Sequence, residues 1–171
     1  QIEEFEAKTR DKCFYYYENL PDDDKDAYLT LYYGFISYDD SIFFENTKSD
    51  IKDIITAVLY DNPEIFWVDY KYEYSISDKT TLFSPDYRLT DDEVDKMQVS
   101  IDKKIDEIMS VVNTLATDYE KELYIHDIII ENTQYDISTL NNMGDTVYSV
   151  LVSGKSICEG YARATQILLD K

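Results

Sequence analysis

Val94, Met97, Ile101, Ile105, Ile108, Val112 and Leu115 step by three and four along the middle of the chain. That spacing puts them on one stripe of a single long helix. Thr90-Asp-Asp-Glu93 fits a capping box, so the helix opens there. A coiled-coil seam would share the spacing, but a stripe of this length favours a helix packed along its own domain. The helix divides the chain, with a boundary expected between Ser84 and Thr90.

Residues 1–88 read as a helix-and-hairpin region. A first helix is expected from Ile2 to Tyr17, stopping before Pro21. A second, from Asp22 to Phe35, carries Tyr28, Leu31, Tyr32 and Phe35 on one face. Asp39-Asp40 marks a turn and Ile42-Phe43-Phe44 a short strand. Ile51, Ile54, Ile55, Val58 and Leu59 form the stripe of a third helix, ending near Asn62-Pro63. Tyr70, Tyr72, Tyr74 and Ile76 then alternate with Lys71, Glu73, Ser75 and Ser77, the period of a strand. A turn at Asp78-Lys79 and the run Thr80-Thr-Leu-Phe83 complete a hairpin. The acidic runs Asp22-Asp-Asp24 and Asp91-Asp-Glu93 fall at helix starts, where negative charge is favourable.

Residues 89–171 hold the long helix, then a helix capped by Thr117-Asp-Tyr-Glu120 and running through Glu131. A connector through Asn141-Asn-Met-Gly144 and the run Val147–Val152 lead to a last helix. The expected class is helix-rich α+β: a small helix and antiparallel-sheet unit, the long helix, then further helices.

With 44% hydrophobic residues and only 4 Gly and 3 Pro, the chain is expected to fold rather than stay disordered. Its 17 tyrosines offer a stacking surface for sugars or peptides as one reading. A tyrosine-lined core and sheet is the favoured one. A formal charge of −20 argues against nucleic acid and against anionic lipid. No stretch approaches the ~20 apolar residues that span a bilayer, and no signal peptide is visible. No Cys-x-x-Cys, His-Glu-x-x-His or calcium-loop pattern supports a metal site, and no cofactor is expected.

Chemistry concentrates at Gly154-Lys-Ser-Ile-Cys158-Glu-Gly-Tyr-Ala162. Ser156 to Glu159 fits a capping box, with Ser156 as N-cap and Cys158 as second helical residue. Tyr161, Ala164, Ile167 and Leu168 supply the apolar face beyond it. Unpaired amides and the positive dipole end favour an anion there, which suits a nucleophilic thiol and a developing oxyanion. Gly154 suits a turn of unusual backbone angle, and Gly160 permits close approach. Inert packing is the competing reading, since free cysteine is commonly buried. Glu159 and the acidic chain oppose a thiolate, and a nearby cation would relieve that. Cys13 is expected to pack beside Phe14-Tyr-Tyr-Tyr17, and a Cys13–Cys158 disulfide, which would silence the nucleophile, is disfavoured.

This motif resembles the cysteine motif of the bacterial transglutaminase-like superfamily. Tyr119-Glu-Lys-Glu-Leu-Tyr-Ile-His-Asp127, running into Asn132-Thr-Gln-Tyr-Asp136, is similar to the helix preceding it there. Leu59-Tyr-Asp-Asn-Pro-Glu-Ile-Phe-Trp67 resembles the N-terminal region of cell-surface members. The resemblance implies a papain-like core with Cys158 as catalytic nucleophile. It also implies a histidine and an aspartate on later strands, beyond Lys171. His126, the single histidine, matches a helix position outside that triad, and Asp127 and Asp136 read as local structural partners.

The expected function is thus that of an N-terminal fragment of a cysteine enzyme acting on peptide or protein amides, by hydrolysis or acyl transfer. The fragment itself is expected to be inactive, and its location extracellular or at the cell surface. The alternative is a non-catalytic surface interaction module. The last helix, with Ile167, Leu168 and Leu169 left uncovered, is expected to offer a dimer contact.

Overall fold

The computed structural model describes residues 14–171. They fall into two compact units, one ending at Asp91 and the other running from Asp92 to Lys171. The class is helix-rich α+β, with a small antiparallel sheet in the first unit.

The first unit contains α1 (Tyr15–Asn19), α2 (Asp22–Ile36), β1 (Ile42–Glu45), α3 (Ile51–Asp61), β2 (Val68–Ile76) and β3 (Thr80–Tyr87). Most of the first expected helix, and Cys13, lie outside the described residues. The part within them starts at Tyr15, after an N-cap at Phe14, and stops before Pro21. The stripes of α2 and α3 are buried as their spacing requires. Tyr28, Leu31 and Phe35 of α2 meet Ile54, Ile55, Val58 and Leu59 of α3 in the core, with Ile42, Phe44 and Phe83 from the sheet. Each such side chain contributes about 1.5–3 kcal/mol by leaving water.

Two buried carboxylates organise this unit. Asp24 accepts from the amides of Lys48 and Ser49 at 2.7 and 2.9 Å, which fixes the approach to α3. Asp22, Asp23 and Asp24 do fall in the first turn of α2, as expected, but the capping role is corrected: α2 has Pro21 as N-cap and no side-chain cap. Asp61 accepts from the amides of Tyr16 and Tyr17 at 3.0 and 2.8 Å and from the Tyr28 hydroxyl at 3.2 Å. Asn62 donates to the same hydroxyl at 2.9 Å, closing a buried polar network.

The sheet order is β1-β3-β2, every pair antiparallel. The hairpin is as expected, but its tyrosine face is not. Tyr74 stands opposite the buried Phe83, yet is 52% exposed, and Ile76 beyond it is 62% exposed. The strand alternates as the sequence does. Its far end simply overhangs the core.

The second unit contains α4 (Asp91–Val112), α5 (Asp118–Asn132), β4 (Gln134–Tyr135), a 3₁₀ turn (Ile137–Thr139), a π-helical turn (Ser149–Ser153), β5 (Lys155–Ser156) and α6 (Cys158–Leu169). Val94, Ile101, Ile105 and Val112 of the α4 stripe are buried. Leu115 lies past the helix, because Thr114 and Leu115 donate to Val111 and Val112 in tightened three-residue turns. The Thr117–Glu120 box is present, with hydroxyl and carboxylate capping reciprocally. Helix α5 packs on α6. Ile167 and Leu168 are buried and only Leu169 is half exposed, which removes the apolar face expected to drive dimerisation through α6. No helix among the described residues is long and apolar enough to cross a membrane.

Candidate functional site

The segment that carries Cys158 is built by a sharp reversal. The π-helical turn ends at Gly154, whose amide donates to the Ser149 carbonyl from a left-handed conformation, φ 70°. Only glycine takes that conformation without steric cost. β5 then runs parallel to β4, with Gln134 opposite Lys155 and Tyr135 opposite Ser156. Two residues later the chain enters α6.

The start of α6 differs from the sequence expectation. Its N-cap is Ile157, with extended backbone angles and no side-chain cap, and Cys158 is the first helical residue. Ser156 does not cap. Its hydroxyl is buried and bonds the Gly144 carbonyl at 2.7 Å and the Ser149 hydroxyl at 2.7 Å. Ser149 in turn lies 2.7 Å from the Thr146 carbonyl. The Gly144 carbonyl also accepts from the Ile157 amide at 3.0 Å. These groups form a polar knot that clamps the helix entry to the 141–144 connector. A capping-box pattern cannot reveal it, because the decisive acceptor lies twelve residues upstream of Ser156.

Gly160 is what lets the knot sit against the helix. A Cβ there would stand 2.8 Å from the Gly144 carbonyl oxygen and 2.8 Å from the Ser149 hydroxyl, and would collide with the Ser156 hydroxyl. The close approach expected of this glycine is therefore made by two serine hydroxyls and one backbone carbonyl.

Cys158 is an exposed free thiol at the head of a twelve-residue helix. The Ile157 amide is spent on Gly144, and the first intrahelical bond runs from Tyr161 to Ile157 at 3.4 Å. The amides of Cys158 and Gly160 lie in the first turn, before that bond, at the positive end of the helix dipole. Glu159 does not lie free beside the thiol. Arg163, one turn on and nearly buried, donates to its carboxylate from Nε at 3.2 Å and from a terminal nitrogen at 2.9 Å. Arg163 thereby pairs the carboxylate that would otherwise oppose a thiolate. The i,i+4 spacing of Glu159 and Arg163 carried the signal.

Tyr161 ties α6 to the end of α5 by donating to the Thr133 carbonyl at 2.7 Å. Burial, with Tyr135 alongside, raises its phenol above the usual value. The Tyr135 ring lies 6.3 Å from that of Tyr161. Asp136 caps the 3₁₀ turn through Ser138 at 3.0 and 2.6 Å and faces Lys155 at 3.5 Å. Ser138 chiefly, with a smaller contribution from Lys155, holds it below the usual carboxylate range. It is a structural partner, as expected.

His126 sits on the solvent side of α5 with Nδ1 2.9 Å from the Asp127 carboxylate. No hydrogen bond joins it to Cys158 among the described residues. A cavity of about 310 Å³ opens between α4, α5 and the π-helical turn, lined by Lys104, Tyr124, Ile128, Asn132, Val152 and others, but not by Cys158. Among the described residues no group of three or more His, Cys, Asp or Glu side chains is placed to hold a metal.

No protein-family model and no curated protein matches the chain. The chemistry of the site therefore rests on its geometry. A thiol at a helix start, beside a carboxylate held by Arg163, suits attack on a carbonyl, and the positive end of the helix suits shelter of the resulting oxyanion.

Proposed function

We propose that this chain carries the nucleophile of a transglutaminase-like cysteine protein, with α6 as the cysteine helix of a papain-like core. The observation that supports this is the placement of Cys158: exposed, first in its helix, and held there by the knot around the Gly144 carbonyl. The substrate is a peptide or protein amide. The sulfur forms a bond to the carbonyl carbon, and the carbonyl oxygen takes the electron pair and faces the helix amides. Collapse expels the amine, protonated by a general acid, and leaves a thioester that water or a second amine resolves. The proposal assigns both proton transfers to a histidine outside these 171 residues.

Alkylation with iodoacetamide, followed by intact-mass and peptide mass spectrometry at neutral pH, tests the first step. Cys158 is expected to react several-fold faster than Cys13 in the folded chain, and at the same rate in urea. Equal rates in the folded chain would show that the helix start does not activate the thiol.

A further inference from the structure

Strand β2 is an outer strand of its sheet, and one of its edges has no partner among the described residues. The facing of its backbone follows from the hairpin. Ser77 donates to the Thr80 carbonyl at 2.9 Å, so Ser77 and Thr80 are a hydrogen-bonded pair. Such pairs alternate along an antiparallel ladder. Ser75 opposite Leu82 and Glu73 opposite Ser84 therefore bond to β3, while Tyr72 stands opposite Pro85, which has no amide to give. The amides and carbonyls of Tyr72, Tyr74 and Ile76 point the other way, to the open edge. Their side chains are the apolar ones that overhang the core.

An open edge of this length is a template for another strand. We propose that the occupant is β2 of a second copy, paired antiparallel about a two-fold axis through Tyr72, so that the two sheets become one. Charge complementarity supports this partner, and pairing over the whole of Val68–Ile76 sets the register. An axis at Tyr70 would also match Lys71 with an anion, Asp69, but would pair only Val68 to Tyr72. An axis at Tyr72 sets Lys71 opposite Glu73, Tyr70 opposite Tyr74 and Val68 opposite Ile76. Apolar side chains then meet apolar ones on one face, and each strand's cation meets the other's anion on the opposite face. An axis at Glu73 would set like charges together. An axis at Tyr74 would leave Lys71 opposite Ser77. A slip by one residue would set outward-facing amides against groups already bonded to β3.

The irregularity in β2 falls at residues 69–71, where the Lys71 amide donates to the Asp69 carboxylate at 3.1 Å. Val68 faces Tyr87 and Tyr72 faces Pro85, so four steps of β2 span two of β3. The excess is even, so Val68 and Tyr72 face the same way on either side of it. An isologous contact of this kind repeats every pair twice.

Sedimentation equilibrium of the 171-residue chain, at fixed physiological salt and over a wide concentration range, tests the proposal. The wild-type mass is expected to rise from monomer towards dimer. Lys71→Glu and Glu73→Lys are each expected to weaken dimerisation roughly tenfold, as two opposite-charge pairs become two like-charge pairs. The double variant restores it. Glu73→Lys separates pairing from simple repulsion, because it moves the net charge of −20 towards zero. General repulsion alone predicts a tighter dimer for it. Tyr74→Pro, which removes an outward amide and no bond to β3, is expected to abolish the dimer. A monomer at every concentration, a Glu73→Lys dimer tighter than wild type, or dimers indifferent to all four variants would overturn the proposal. Lys71 and Glu73 are exposed, so these variants keep the fold.

Discussion

Replacing Gly160 by alanine probes whether the knot around Gly144 positions the thiol. Gly160 lies inside α6 in helical conformation, so alanine by itself would gain about 1 kcal/mol of helix propensity. Against that stands the space. The new methyl would lie 2.8 Å from the Gly144 carbonyl oxygen and 2.8 Å from the Ser149 hydroxyl, with the Ser156 hydroxyl closer still. Hydroxyls can rotate away, but the carbonyl is backbone and is held by the Ile157 amide. Overpacking of this kind costs about 1–3 kcal/mol, and more where backbone must move. With the collision on three sides, about 3 kcal/mol is lost and about 1 regained. The net cost is about 2 kcal/mol. For a chain of this size that is roughly a 4–8 °C fall in Tm, read by calorimetry. Iodoacetamide labelling on the same sample should show Cys158 slowed towards the rate of Cys13. Unchanged or raised stability would refute the close approach. Lost stability with an unchanged Cys158 rate would show that the knot holds the fold but not the thiol.

What could be read from sequence follows from how local each determinant is. The stripes of α2, α3 and α4 and the Thr117 box needed only spacing and neighbours, and all four stand in the structure. Cys158 was legible as a helix-start thiol for the same reason. The box at Ser156 was a local pattern overruled at a distance, because the Ser156 hydroxyl is buried against the Gly144 carbonyl, to which it donates, and does not accept from a helix amide. The capping role read for Asp24 was overruled in the same way, and Asp61 carried no local signal at all. Their partners lie 24 to 45 residues away, at Lys48, Ser49, Tyr16 and Tyr17. The tyrosines of β2 show the converse limit. Alternation gives the side of a strand, but not whether a helix reaches over it, and α2 and α3 leave its far end uncovered. Arg163 was in plain view, and its i,i+4 pairing with Glu159 was the one site feature spacing alone could have supplied.

Thr117→Ala removes the hydroxyl that caps α5 at 3.2 Å from the Glu120 amide, and should cost about 1 kcal/mol with little change in Cys158 labelling. A loss of several kcal/mol in denaturant titration would mean that the cap also closes a larger contact. Asp61→Asn tests the buried network, replacing one acceptor oxygen among three donors, at about 1–3 kcal/mol near neutral pH. Burial raises the Asp61 carboxyl above its ordinary value, and the hydrogen bonds from Tyr16, Tyr17 and Tyr28 only partly offset that. Between the unfolded value of about 3.9 and the raised folded one, the native state binds more protons. Stability from Asp61 therefore falls as pH rises through that window and is fully present below it. Asp24 carries the opposite sign. Burial raises it too, but the hydrogen bonds from Ser49 and Lys48 win and leave it depressed, so its contribution is lost as pH falls. Unfolding of the wild type and of each variant from pH 7 to 2 should therefore show the gap to Asp61→Asn widening on acidification and, below about pH 4, the gap to Asp24→Asn closing. A gap to Asp61→Asn that closes instead would mean that the three hydrogen bonds outweigh the loss of water around that carboxylate.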